Sequence, residues 1–243
     1  MERAALLAEI AAARRLVVFT GAGVSTECGV PDFRSPGSPW LAHPPLPFAE
    51  FLADEETRRL AWTRKFALDD VWRGATPGPT HRAIAALARR ATTLAVVTQN
   101  VDGLHSLAGV PGDKLVELHG VGTHAACLDC GARRELRPIR EALDLRGETP
   151  RCDACGGIVK SATVAFGQSL PAAAIEGAKR AMLECDLCLA LGSSLLVRPA
   201  ADLPRLAKRA GARVFVANRD PTPFDAEADG VWRGELSALF TGE

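Results

Sequence analysis

The apolar run LVVFT (Leu16–Thr20) leads directly into GAGVSTECGVPDFR (Gly21–Arg34). Five apolar or β-branched residues in a row read as a short strand buried on both faces, as in a parallel sheet. Two glycines immediately after such a strand suggest a turn that brings backbone close to a dinucleotide. The strict G-x-G-x-x-G pattern fails, because Thr26 stands at the third glycine position. An acid about twenty residues on, at the end of a second strand, is also missing. Instead the chain continues as Pro31-Asp32-Phe33-Arg34. Asp32 and Arg34 can pair with each other or hold ribose and phosphate groups, and Phe33 can cover an apolar ring. The loop departs from the turn of an ordinary hydride-transfer enzyme.

Further apolar runs repeat the rhythm at Thr93–Thr98, Lys114–Leu118, Asp186–Leu191 and Arg213–Ala217. Helical stretches over Thr80–Arg90, Pro171–Leu183 and Leu203–Ala210 alternate with them. Strand and helix in alternation predict a doubly wound, Rossmann-like α/β sheet. Residues 1–36, 76–120 and 161–243 are expected to form this large domain. Two segments break the rhythm. Residues 37–75 are proline-rich and then helical around Glu50–Trp72, and residues 121–160 are dominated by cysteine, glycine and charge. Together they are expected to make a small lobe.

A polar cluster of small residues follows each expected strand: Gly21-Ala22-Gly23, Gln99-Asn100-Val101-Asp102, His119-Gly120, Gly192-Ser193-Ser194 and Asn218-Arg219-Asp220. In a parallel sheet all of these fall on the carboxyl edge, where open α/β folds bind ligands. Asn100 and Asp102, two apart in extended chain, point to the same side. They suit a ribose or an amide, or simply a turn. His119 shares that edge and can act as a general base near neutral pH. His43, His81, His105 and His124 lack this context. Gly192, Ser193 and Ser194 can present N–H and hydroxyl groups to phosphate. Asn218 can meet ribose hydroxyls.

The seven cysteines include Cys127, Cys130, Cys152 and Cys155 in the spacing C-x2-C-x21-C-x2-C. Two such knuckles gather four thiolates into a tetrahedron that suits Zn²⁺, and four protein ligands make the site closed and structural. Cys185 and Cys188 lie in an expected buried strand and read as small apolar residues, as does Cys28. Lys+Arg and Asp+Glu both number 29, so no net charge draws the chain to nucleic acid or anionic membrane. No apolar run approaches the ~20 residues that span a bilayer. The N-terminal segment carries Glu2 and Glu9 and reads as a helix with an apolar face of Leu6, Leu7 and Ile10, not as a signal peptide. A cytoplasmic protein with reduced thiols is expected.

Assembled in order, GAGVSTECGVPDFR, TQNVDGLH, ELHG, the two C-x-x-C pairs, VAFGQ, GSSLLVRPA and NRD resemble the sirtuins (the Sir2 family), NAD-dependent protein deacylases, over about Leu16–Asp220. The resemblance implies NAD in the cleft as co-substrate, held by Gly21, Ala22, Gly23, Asp32, Phe33, Arg34, Gln99, Asn100, Asp102, His119, Gly192, Ser193, Ser194 and Asn218. It implies His119 as catalytic base, aided by Asn100 and Asp102. Val164, Phe166, Gly167, Leu195 and Val197 would clamp an acyl-lysine peptide as an added strand. The implied reaction starts with attack of the acyl-lysine carbonyl oxygen on C1′ of the nicotinamide ribose and loss of nicotinamide. It ends in free lysine and 2′-O-acyl-ADP-ribose, with one structural zinc taking no part. The desuccinylating branch pairs a Tyr with an Arg three residues later. Here Ala61 precedes Arg64 and the chain has no tyrosine, so the resemblance implies poor desuccinylation. The family's FFGE is replaced by Ala165-Phe166-Gly167-Gln168. Two other readings remain open: protein mono-ADP-ribosylation, and a zinc-containing NAD-binding protein without turnover. The sequence is silent on oligomeric state.

Overall fold

The computed structural model describes residues 1–242, apart from the side chain of Ala42. Chain order runs α1 (Arg3–Ala12), β1 (Leu16–Thr20), α2 (Pro39–Ala42), α3 (Phe48–Ala53), α4 (Glu55–Val71), α5 (Pro79–Ala88), β2 (Thr93–Thr98), α6 (Leu104–Leu107) and β3 (Leu115–Glu117). There follow β4 (Gly120–Cys127), β5 (Arg133–Arg134), α7 (Leu136–Arg146), β6 (Val159–Thr163), α8 (Ala172–Glu184), β7 (Leu187–Leu191), α9 (Leu203–Arg209), β8 (Arg213–Ala217), β9 (Gly230–Trp232) and α10 (Leu236–Thr241).

Six strands form one parallel sheet in the order β3-β2-β1-β7-β8-β9. Counted within that sheet, the order is third, second, first, fourth, fifth, sixth, that of a dinucleotide-binding doubly wound fold. The direction of winding reverses between β1 and β7. Every residue of β1 is buried, and successive side chains serve opposite layers. Leu16 and Val18 join the core beneath α1, α5 and α10, while Val17 and Phe19 join the core beneath α8 and α9. Unbroken apolar runs therefore mark these strands, because neither face meets water.

Between β3 and α8 the chain leaves this sheet and forms a three-stranded antiparallel one, in the order β5-β4-β6. Its core also takes residues of α4: Trp62 and Phe66 pack with Ala125, Cys127, Ile139, Leu143, Cys152 and Val159. Arg140 of α7 grips the Asp70 carboxylate through two 2.7 Å bonds, tying α7 to α4. The helix expected around Glu50–Trp72 is two helices. Asp54 has extended backbone, and its carboxylate accepts from the N–H of Thr57, which starts α4 afresh. Strands β4, β5, β6 and β9 were outside the sequence expectation. They are short or polar on one face and lack an apolar run. Among the described residues no helix is long and apolar enough to cross a membrane.

Candidate active site at the carboxyl edge of the sheet

The reversal between β1 and β7 sets two loops back to back. Gly21 N–H donates to the Leu191 carbonyl at 3.0 Å, and Gly23 N–H to the Gly192 carbonyl at 2.8 Å. A Cβ on Gly23 would lie 2.8 Å from both the Cα and the carbonyl oxygen of Gly192. Gly192 has φ +59°, and a Cβ there would sit 2.6 Å from Val24 N. Contact between the two loops thus requires the glycines.

Gln99 spans this junction from the neighbouring strand end. Its side-chain amide donates to Ser193 Oγ at 2.8 Å, and its backbone N–H donates to the Thr20 carbonyl at 3.0 Å. Its own carbonyl lies 2.9 Å from His119 Nδ1. A carbonyl only accepts, so His119 carries its proton on Nδ1 and presents a bare Nε2 lone pair. Burial lowers the His119 pKa below 6.5, opposed in part by the bond to Gln99. The ring is therefore neutral and basic at neutral pH.

Asn100 and Asp102 do turn to one side, and they meet at Ser25. Asn100 Nδ2 donates to Ser25 Oγ at 3.1 Å, and Ser25 Oγ donates to Asp102 Oδ2 at 2.7 Å. The other Asp102 oxygen accepts from the Leu104 N–H at 2.8 Å. Behind this cluster stand two buried histidines, with His81 Nε2 3.4 Å from Ser25 Oγ and His105 Nε2 2.9 Å from Thr20 Oγ1. Their rings lie 5.1 Å apart. Burial, with His81 adding to it, depresses the His105 pKa to about 3, so His105 is neutral.

The expectation that His81 and His105 lack a site context is corrected here. Both lie beneath the opening loop. Ser25 too was overlooked, although it stands inside the quoted motif. It is buried, and only its donor and acceptor count identifies it as the hub.

Asp32 and Arg34 do not join side chain to side chain. Asp32 accepts from the backbone N–H of Arg34 and of Ser35, which folds the PDFR tail into a turn. The Arg34 guanidinium is free to reach across to Ser194 Oγ at 2.9 Å. Ring Phe33 is exposed and stacks on Trp40, with centroids 4.7 Å apart. Ala22 opens the short helical turn of the first loop. Asn218 directly follows β8, and its side-chain amide donates to the Asp220 carbonyl.

The expected peptide clamp lies at the junction of the two sheets. Val164 N–H donates to the His119 carbonyl at 2.7 Å, and Phe48 N–H to the Phe166 carbonyl at 2.8 Å. Phe166 is half exposed, and Gly167 takes φ +83° in the turn that Gln168 closes onto Ala165 N–H. In the other segment expected to hold a peptide, Leu196 is exposed and Val197 half-buried, whereas Leu195 turns its side chain into the core with φ +52°.

Cys127, Cys130, Cys152 and Cys155 bring their sulfurs within 4.8 Å of one another. The pairs Cys127–Cys155 and Cys130–Cys152 stand 3.6 Å apart. Sulfurs around a tetrahedral zinc stand ~3.8 Å apart, given Zn–S of about 2.3 Å. The donor set fits zinc. Backbone N–H groups, Ala154 first, hold the Cys152 thiol down to about 6 against its burial, which favours the thiolate a metal needs. Cys188 is buried within β7, whereas Cys185, also buried, caps the end of α8 just before the strand rather than lying in it.

With this geometry in place, the chain can be set beside known proteins. The Sir2 family profile matches residues 21–199. An NAD-dependent protein deacetylase of Rhodopseudomonas palustris is 47% identical over 96% of this chain and 93% of its own length. NAD-dependent protein deacylase 1 of Pseudomonas aeruginosa is 42% identical over 87% and 86% of the two chains. A solved Sir2 enzyme from work on the mechanism and regulation of that family superposes with TM-score 0.85 at 35% identity, over 99% of this chain and 95% of the other. Another, a Sir2 variant with a deacetylated p53 peptide and 3′-O-acetyl-ADP-ribose, gives TM-score 0.85 at 30% identity, over 98% and 96%. A family match over most of the chain and relatives of this closeness leave one conclusion: the chain belongs to the Sir2 family.

Proposed function

We infer that this chain is an NAD-dependent protein-lysine deacylase, which transfers the acyl group of a modified lysine to the ADP-ribose part of NAD and releases nicotinamide. The observation that carries the reading is the meeting, at one sheet edge, of a neutral His119 with a bare Nε2 and the Asn100–Ser25–Asp102 cluster. Its relatives are NAD-dependent protein deacetylases and deacylases. NAD supplies the electrophilic C1′ that receives the acyl oxygen when nicotinamide departs.

We assign the residue roles as follows. The two loops take the phosphates on the backbone N–H groups of Ala22, Ser193 and Ser194, since those of Gly21, Gly23 and Gly192 already donate within the fold, with Arg34 adding positive charge. Asn218 takes a ribose. Asn100 and Asp102 bind at the nicotinamide end, held in place by Ser25, and Phe33 covers that end. His119 Nε2 accepts the proton of a ribose hydroxyl, and Gln99 fixes the tautomer that allows it. The acyl-lysine peptide lies between Val164–Gly167 and the Leu195–Val197 backbone as a third strand. One zinc held by Cys127, Cys130, Cys152 and Cys155 stabilises the small lobe. Arg64 donates to the Pro44 carbonyl and has no tyrosine partner, which supports weak action on succinyl-lysine.

Incubation with NAD and an acetyl-lysine peptide tests the reading. Nicotinamide release that requires the acetyl group is expected. Transfer of ADP-ribose to protein, or no nicotinamide release over a panel of acyl peptides, contradicts it.

A further inference from the structure

Glu27, Cys28 and His81 form a cluster outside the four-cysteine centre, with their donor atoms within 4.8 Å of one another. We propose that these three residues form a second metal site, one that takes a thiophilic divalent cation such as Zn²⁺ on Cys28 Sγ, His81 Nδ1 and a Glu27 oxygen, with its fourth position open.

Proton counting at Ser25 fixes the histidine. Ser25 has one hydroxyl proton, and it goes to the Asp102 carboxylate. Ser25 Oγ also accepts from Asn100 Nδ2. His81 Nε2, 3.4 Å away, can meet that oxygen only as a donor. The proton therefore sits on Nε2, and Nδ1 keeps a lone pair. That lone pair faces Cys28 Sγ at 3.6 Å. Nitrogen and sulfur on a tetrahedral zinc stand ~3.5 Å apart, from Zn–N of about 2.0–2.1 Å and Zn–S of about 2.3 Å. The pair is already spaced as two ligands of one ion. A ligating histidine whose second nitrogen donates to an oxygen is the arrangement that orients metal-bound imidazoles.

Glu27 completes the set. Its oxygens each accept one bond from Thr80, from the N–H at 2.8 Å and from the hydroxyl at 3.0 Å. Each keeps a second lone pair for a cation. Cys28 is partly exposed and Glu27 exposed, so an ion can enter from solvent, whereas His81 is fully buried at the inner end.

Charge sets the strength. The Glu27 carboxylate and a Cys28 thiolate balance a divalent ion, and the thiol proton leaves to solvent on binding. Asp102 lies near enough to add attraction, while Arg82 and the N-terminal end of α5 oppose it. The site is thus weaker than four thiolates and fills reversibly. A cation there touches the catalytic edge through two hydrogen bonds, from His81 to Ser25 and from Ser25 to Asp102. Cys28 reads from sequence as a packing residue, and the structure gives it a different neighbourhood.

The test is cobalt(II) titration of full-length protein whose four-cysteine centre already holds zinc. One added equivalent with a thiolate-to-cobalt charge-transfer band is expected, and Cys28→Ser abolishes the band. Glu27→Gln keeps an acceptor for Thr80 and weakens cobalt binding on the order of 100-fold. Cys185 and Cys188 are buried and give no such band. A wild-type chain that takes up no cobalt, or a band that survives Cys28→Ser, overturns the proposal.

Discussion

Replacing Ser25 by alanine removes a single buried oxygen and disturbs Asn100, Asp102 and, through its longer 3.4 Å contact, His81. Asn100 Nδ2, on a residue only 8% exposed, loses its 3.1 Å acceptor. Asp102 Oδ2 loses a 2.7 Å donor but keeps the Leu104 N–H on its other oxygen. An orphaned buried donor costs roughly 1–3 kcal/mol, and a lost bond to a carboxylate about 1.5–3 kcal/mol. Asp102 is partly open and recovers some of its loss from water, so we expect about 2–4 kcal/mol of destabilisation in total. Denaturant titration measures this, provided the slope against denaturant is unchanged. The same change frees the Asn100 amide and the Asp102 carboxylate to rotate away from the ligand edge. A loss of about 2 kcal/mol in transition-state binding lowers kcat/KM for NAD by about 30-fold. A double-mutant cycle with Asn100→Ala separates the two effects. If Ser25 acts by holding Asn100, the second change adds little to the first. A Ser25→Ala protein within about 0.5 kcal/mol of the parent, with unaltered kcat/KM, would refute the hub.

Other outcomes follow from the same geometry. His119→Ala should keep the fold and bound zinc and lose turnover. In the parent, the base form is present above the lowered His119 pKa, so the acid limb of kcat/KM lies below pH 6.5, and activity falls as pH drops through it. An acid limb above pH 7 speaks against this base. Gly192→Ala adds a Cβ 2.6 Å from Val24 N at φ +59°. Left-handed backbone costs about 1–2 kcal/mol and overpacking about 1–3 kcal/mol, so a loss of about 2–5 kcal/mol is expected by denaturant titration. A neutral result there breaks the account of the loop junction. Cys127→Ala leaves three thiolates, so zinc content measured by metal analysis should fall and the small-lobe unfolding midpoint should drop. Unchanged zinc and midpoint count against a structural metal.

The large sheet was legible because its strands are buried on both faces and carry uninterrupted apolar runs, as Leu16–Thr20 and Leu187–Leu191 do. The antiparallel strands were not. β4 reads Gly-Val-Gly-Thr-His-Ala-Ala-Cys, with polar and small residues held extended by pairing with β5 and β6. At the site, residues within the strand-end clusters announced themselves by type and position. Their support did not. His81 arrives from α5, and its distance to Ser25 is set by how that helix packs on the sheet, which no local pattern encodes. The break at Asp54 was readable in principle as an N-cap, but the helical periodicity on both sides masked it. The opening glycines carried the right location for a partly different reason, since they let the two loops touch.

Quantifying the products of one reaction tests the central claim most directly. Full-length protein, NAD and an acetyl-lysine peptide should yield nicotinamide, unmodified peptide and acetyl-ADP-ribose in equal amounts by mass spectrometry. Free acetate with NAD left intact, or ADP-ribose attached to protein in place of acetyl-ADP-ribose, would contradict it.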